Sequence, residues 1–241
     1  MNQVYLSVII PAFNEERRLI ATLTAVESYL KAQTYTYQVI ISDDGSTDQT
    51  ITVAKQWCGS KPNFQVLPSP SGNRGKGDAV RRGVLASAGE LILFMDADNS
   101  VPLTELPKLI QWIDRFPVVI GSKYAEGAIY QGTSATRTAL SRMSNWLIKI
   151  LAVPAVADTQ CGFKLFQKTA GQEIFRRLTI PRFGFDIELL VIARELKFNY
   201  REVGIRWTTN ADSRVHPILD ALRTLGELIR IVWNRQRQLY R

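Results

Sequence analysis

The residues with the clearest chemical potential are Asp96 and Asp98, two carboxylates two positions apart that follow the apolar run Leu91–Met95. Carboxylates leaving a buried strand are costly unless a cation or hydrogen bonds satisfy them. A hard divalent ion meets that need with one or two carboxylates and completes its oxygen shell from phosphates and water. The pair therefore points to Mg2+ or Mn2+ bound jointly with a diphosphate. Asp43 and Asp44, ahead of Gly45, close a second apolar run. One carboxylate there suffices to shape a turn; the other is available to a base or ribose. Residues 72–77 place Arg74 and Lys76 in a glycine-rich stretch before a helix, a setting that suits an anion. No Ser or Thr follows Lys76 and the dinucleotide spacing is absent, so the stretch is neither a P-loop nor a Rossmann fingerprint.

These groups need elements to position them. Residues 4–10 read as a buried strand ended by Pro11, and Asn14 as the cap of a helix running to Leu30, with Glu15 and Glu16 in its first turn. Strands follow at 37–42, 64–67 and 91–95. Helices are predicted from the turn after Asp48 to Cys58 and from Asp78 to Ser87. Such alternation predicts right-handed crossovers and a mostly parallel sheet. Ligands bind at the carboxyl ends of its strands, where every polar cluster of the first hundred residues falls. No internal repeat or Gly/Ser/Pro linker divides the chain, which reads as one domain over 1–241.

Composition narrows the partners. Of 241 residues, 46% are hydrophobic and 22% charged, ordinary for a globular protein and incompatible with a disordered or collagenous one. Cys58 and Cys161 are too few for a disulfide framework, and the lone His216 excludes a site needing two imidazoles. No signal peptide and no long uncharged apolar stretch is seen; the run at 150–157 is short and broken by Pro154. A cytoplasmic location is expected. The net charge of +8 is uneven: residues 1–120 hold 11 Lys/Arg and 12 Asp/Glu, residues 121–241 hold 19 and 10. The second half is expected to meet something anionic.

Taken together, residues 7–16, 43–48, 73–77 and Asp96-Ala97-Asp98 resemble the inverting nucleotide-sugar transferases of glycosyltransferase family 2. Residues 121–124, Arg137, the run 158–166 and the run 185–190 resemble its dolichyl-phosphate β-glucosyltransferase branch. The likeness covers nearly the whole chain and implies an α/β protein of the GT-A nucleotide-diphospho-sugar transferase fold. On this likeness 1–120 is the nucleotide-sugar half and 121–215 the acceptor half. Pro11, Asn14, Glu15, Asp43 and Asp44 match positions lining the nucleoside pocket, and Arg74 and Lys76 the loop beside it. Asp96 matches the carboxylate near ribose and metal, Asp98 the metal ligand. Lys123 and Arg137 match cations that hold a lipid phosphate. Asp158, Gln160 and Lys164 fall in the acceptor-side motif, Asp186 and Glu188 in the sugar-side one. The implied reaction moves a hexose, glucose from UDP-glucose first, onto a polyprenyl phosphate. A hydroxyl acceptor, soluble or saccharide, would instead need a base, with Asp186 or Glu188 as candidates.

Residues 216–241 complete the expectation. Arg223, Glu227, Arg230, Asn234, Arg237 and Arg241 form one helical stripe, and Leu222, Leu225, Ile229 and Val232 the opposite one. This reads as an amphipathic basic helix suited to an anionic membrane surface on the cytoplasmic side. A non-catalytic basic protein binding membrane or nucleic acid is the reading from another class. No helix-turn-helix, zinc or aromatic single-strand signature supports a nucleic acid partner.

Overall fold

A computed structural model describes residues 3–131, 152–153, 156–208 and 217–241. Arg137, His216 and residues 150, 151, 154 and 155 of the 150–157 run lie outside the described residues. Strands β1 (Leu6–Ala12), β2 (Tyr37–Asp43), β3 (Phe64–Leu67) and β4 (Leu91–Met95) alternate with helices α1 (Leu19–Lys31), α2 (Thr50–Cys58) and α3 (Lys76–Ala86). Then come α4 (Leu106–Ile113), β5 (Val118–Ser122), β6 (Ile129–Gln131), β7 (Phe163–Gln167), α5 (Lys168–Arg177), α6 (Phe185–Glu195), β8 (Tyr200–Gly204), β9 (Arg206–Thr208) and α7 (Pro217–Gln236).

The main sheet runs β3-β2-β1-β4-β7-β5-β8. All neighbours are parallel except β7, which is antiparallel to both β4 and β5. The short strands β6 and β9 pair separately. Both faces are covered, so the strands read as unbroken apolar runs, yet the pleat still sorts them. Leu6, Val8, Ile10, Val39, Ile41 and Leu93 face one core with Leu19, Leu23, Leu106 and Leu109. Ile9, Ile40, Ile92 and Phe94 face the other with Val80, Phe175 and Ile187.

Three boundaries differ from the sequence reading. Pro11 lies inside β1, opposite Ser42 of β2. The β1–β4 pairing ends at Ile9, so the missing Pro11 N–H costs no bond on that side. Helix α1 starts at Leu19, not after Asn14. Asn14 takes a left-handed φ of 55° and its Oδ1 accepts from Thr47 N (2.8 Å), so it secures the turn before α2. Helix α3 begins at Lys76, two residues early, which fixes that lysine on its first turn.

Candidate active site

A cleft of about 330 Å3 opens at the carboxyl ends of β1, β2 and β4. Among the sequence candidates Pro11, Glu15, Asp44, Lys76, Asp96 and Asp98 line it. Phe13, Arg18, Asn73, Arg182 and Phe183 complete the wall. Of these, Arg18 makes a bidentate pair with Glu15, with Nη2–Oε1 at 2.6 Å and Nε on Oε2. That i,i+3 pairing was the signal available for Arg18 in the sequence.

The floor is ionic. Lys76 Nζ lies 2.7 Å from Asp96 Oδ1. Burial works against the lysine's charge, but Asp96, Asp186 and Asp98 outweigh it and hold the ammonium's pKa above its ordinary value. Burial raises the pKa of Asp96, and Asp98 and Asp186 add to the rise while Lys76 opposes it. Oδ1 of Asp96 is buried and accepts no hydrogen bond of ordinary geometry despite the nearby ammonium. Asp98 Oδ1 accepts Ser100 N at 2.9 Å, which orients its carboxylate. A buried oxygen short of hydrogen bonds beside a second carboxylate suits a hard divalent cation. Among the described residues no group of three or more His, Cys, Asp or Glu converges. A cation here would need oxygens from a bound diphosphate and water.

Gly162 sets the position of Asp96. Its carbonyl accepts Asp96 N at 3.0 Å, and a Cβ at 162 would stand 2.1 Å from Asp96 Oδ2. Gly162→Ala must displace that carboxylate. Turnover is expected to fall about 100-fold, since a shift on the order of 1 Å costs that much. Steady-state kinetics beside the melting temperature would separate misplacement from unfolding.

The two aspartates after β2 divide their work. Asp43 is buried and its Oδ2 accepts Gly45 N (2.8 Å) and Ser46 N (3.1 Å), forming the turn; it is not part of the cleft wall. Asp44 clasps the glycine-rich stretch, accepting Arg74 N (3.0 Å) and Gly75 N (2.8 Å) on Oδ1 and Asn73 Nδ2 (3.0 Å) on Oδ2. Burial raises its pKa, and those N–H groups counter the rise. Gly75 has φ +117°, and a Cβ there would stand 2.5 Å from Pro181 O. The stretch is thus pinned between Asp44 and residues 181–182. Asp44→Ala would leave two N–H groups unpaired, at about 1–3 kcal/mol each where water cannot reach. If the cleft takes the UDP that the sequence resemblance implies, its binding is expected to weaken about tenfold or more, read by calorimetry. Arg74, by contrast, points away: its Nε lies 3.6 Å from Asp78 Oδ1, its side chain is half exposed, and it is not in the wall.

The acceptor-side candidates form a second, deeper group. Asp158 is buried; its Oδ2 accepts Lys123 N (3.1 Å) and its Oδ1 lies 3.4 Å from Lys123 Nζ. Burial opposes the Lys123 charge, but Asp158 holds its pKa above the ordinary lysine value. The rings of Tyr124 and Trp207 flank the same ammonium at 5.1 and 5.6 Å. Glu202, absent from the sequence candidates, accepts Asp158 N at 2.8 Å and sets this loop. Gln160 is half-buried beside it. Lys164, expected to face an acceptor, is fully buried instead; it donates to Cys161 O (2.6 Å) and to Asp186.

Glu188 is the largest departure. The sequence offers it, as an alternative to Asp186, for the base that a hydroxyl acceptor would need. It is fully buried and accepts Thr179 N (2.9 Å), Thr179 Oγ1 (2.6 Å), Ile180 N (2.8 Å) and Tyr240 Oη (2.8 Å). Its lone pairs are committed and no path from solvent reaches them, so it braces the segment before Arg182 and Phe183. Two residues along α6, about half a turn, put Asp186 on a different side of the helix from that closed network.

Comparison with known proteins agrees with this geometry. The profile of glycosyl transferase family 2 matches residues 7–175. The chain is 35% identical over 238 residues to a dolichyl-phosphate beta-glucosyltransferase of Homo sapiens, covering 93% of this chain and 74% of that protein. A Mus musculus protein of the same name is 37% identical with the same coverage. Among solved structures, the glucosyl-3-phosphoglycerate synthase of Mycobacterium tuberculosis, in complex with Mn2+, UDP and phosphoglyceric acid, superposes with a TM-score of 0.70. It shares 20% identity and covers 95% of this chain and 78% of its own. That likeness establishes the GT-A type of fold.

Proposed function

The chain belongs to glycosyl transferase family 2, and from that premise we propose that this glycosyltransferase moves glucose from UDP-glucose onto a polyprenyl phosphate with inversion. The observation that carries the reading is the convergence of Asp96, Asp98 and Lys76 on one cleft at the strand ends. The names of the dolichyl-phosphate relatives support the acceptor, and the Mn2+-, UDP-bound synthase supports the donor and metal classes.

In this reading the nucleoside lies against Pro11, Glu15 and Asp44. Asp98 and Asp96 would hold Mg2+ or Mn2+, which when bound supplies positive charge for the departing diphosphate. Lys76 shares that task, and Arg182 on the opposite wall adds a cation for the phosphates. An acceptor phosphate oxygen forms the new bond to the sugar carbon as the bond to the diphosphate breaks. One displacement inverts the carbon, and no proton has to leave. The buried pairing of Lys164 with Asp186 favours such an acceptor. A carboxylate held by a buried ammonium has little freedom to act as base for a hydroxyl. Lys123 and Arg137 are proposed to bind the acceptor phosphate, with Asp158 and Gln160 shaping that side.

The test supplies radiolabelled UDP-glucose and Mn2+ or Mg2+, with and without polyprenyl phosphate. Label entering the organic phase is the expected result. Slow UDP release that the lipid leaves unchanged would discard the lipid acceptor. No release of UDP, with label from GDP-sugars instead, would discard the donor.

A further inference from the structure

Helix α7 does not lie as its sequence periodicity suggests. Its buried side carries Leu228, Ile231 and Asn234. Glu227 and Asn234, counted in the polar stripe, turn inward, where Glu227 accepts Gly184 N at 2.7 Å and Asn234 donates to Thr179 Oγ1 at 3.0 Å. The apolar Ile229 and Trp233 face outward, 64% and 54% exposed, and Leu239 beyond the helix is 56% exposed. The side chains of Leu222 and Leu225 lie outside the described residues. Arg230 and Arg237 are exposed beside Ile229 and Trp233, and the Arg237 guanidinium stacks 4.6 Å from the Trp233 ring. Glu227 is the one acid within 223–241, and Arg235 and Arg241 pair with Glu195.

We propose that this outer face of α7 is a docking surface for an anionic lipid bilayer. A merely solvated face has no use for Ile and Trp one helical turn apart, whereas an interfacial helix buries such side chains at the headgroup boundary. Tryptophan suits that depth, with an apolar ring and a polar N–H. Arginine completes the match, because its guanidinium binds phosphate in a bidentate manner. The absence of an outward acid among the described side chains of this face leaves nothing to repel anionic headgroups. A second copy fits less well, since a two-fold contact would bring the arginines toward their counterparts. The face is also tied to the cleft: the inward Glu227 holds Gly184, next to Phe183 on the cleft wall. Docking would therefore set the cleft close to lipid. Because binding is read without turnover, this proposal and the transfer reading stand or fall separately.

The test is flotation of the full chain with phosphatidylcholine vesicles, with and without phosphatidylglycerol. Two arginines near an anionic surface are expected to favour the phosphatidylglycerol vesicles by roughly 20- to 30-fold, and added salt should erase the preference. Arg230→Gln/Arg237→Gln should bring the preference close to onefold at the same per-charge value. Trp233→Ser should weaken binding further, with unchanged melting curves for these exposed positions. Absent binding, equal binding to both vesicle types, or variants that bind like the parent would overturn the proposal. So would a concentration-dependent dimer abolished by Trp233→Ser, or retention of RNA in place of vesicles.

Discussion

Replacing Asp98 with alanine is expected to lower turnover by about three orders of magnitude at saturating Mn2+, equivalent to about 4 kcal/mol of transition-state stabilisation. The reason is the poverty of the site in protein ligands. Among the described residues only Asp96 and Asp98 face the cleft as a carboxylate pair, and Asp96 is already engaged by Lys76. Removing one carboxylate leaves a cation to be held by a single, partly neutralised group and the diphosphate itself. Folding should be nearly untouched. Asp98 is half-buried and accepts the turn N–H of Ser100, so a cost of about 1 kcal/mol is expected for that bond. The check is single-turnover kinetics across a Mn2+ series, with melting temperatures alongside. Turnover that recovers fully in excess metal would show weakened affinity without a role in the chemical step; turnover unchanged throughout would remove Asp98 from the metal site.

The largest expected effect on stability comes from Lys164→Met. Lys164 sits on β7 opposite Phe94 on one side and Ile120 on the other, with no exposed surface. Its ammonium is the partner of Asp186, which is 2% exposed. Truncating one member of such a pair strands a buried charge, at about 3–5 kcal/mol. For a chain of this size that is a melting temperature lowered by roughly 10 °C. Adding Asp186→Leu should restore much of the loss, because the cost lies in the unpaired carboxylate and not in the missing attraction. Thermal unfolding of the single and double variants decides it. A single variant as stable as the parent would mean that Asp186 finds another cation, and Lys76, whose charge Asp186 already supports, is the candidate.

The sequence made the frame of the nucleotide half readable because β1 to β4 are short apolar runs ended by polar turns, and local patterning reports both. It also located Asp44, Lys76, Asp96 and Asp98, since each directly follows a strand or opens a helix. What it could not supply is orientation set by distant partners. Asn14 looked like a helix cap and instead serves a turn more than thirty residues on. Arg182 and Phe183 reach the cleft only because Pro181 O accepts Asp78 N across the fold. A helical pattern puts Glu188 and Asp186 on different sides but does not say what each side meets: one is sealed by Tyr240 and Thr179 and the other sits against Lys164. Helix α7 misled for a similar reason. Polar Glu227 and Asn234 found partners inside, which turned the apolar positions toward solvent.

The reversed strand β7 bears on the order in which the protein is made. Among the described strands it is the only hydrogen-bonded link between the β3-β2-β1-β4 group and the β5-β8 pair. Its contacts with β4 join residues some seventy apart in the chain, a closure that is slow because entropy is lost before any contact rewards it. The β3-β2-β1-β4 group lies wholly within the first hundred residues, although β1 reaches β4 across about 85 of them, and it can form while the ribosome is still translating the rest. Gly162, Lys164 and Asp158 then arrive together with β7. During synthesis Asp96 and Asp98 therefore stand first beside Lys76 alone, and the steric stop that fixes the Asp96 carboxylate, Gly162, is installed by the strand that zips the sheet shut.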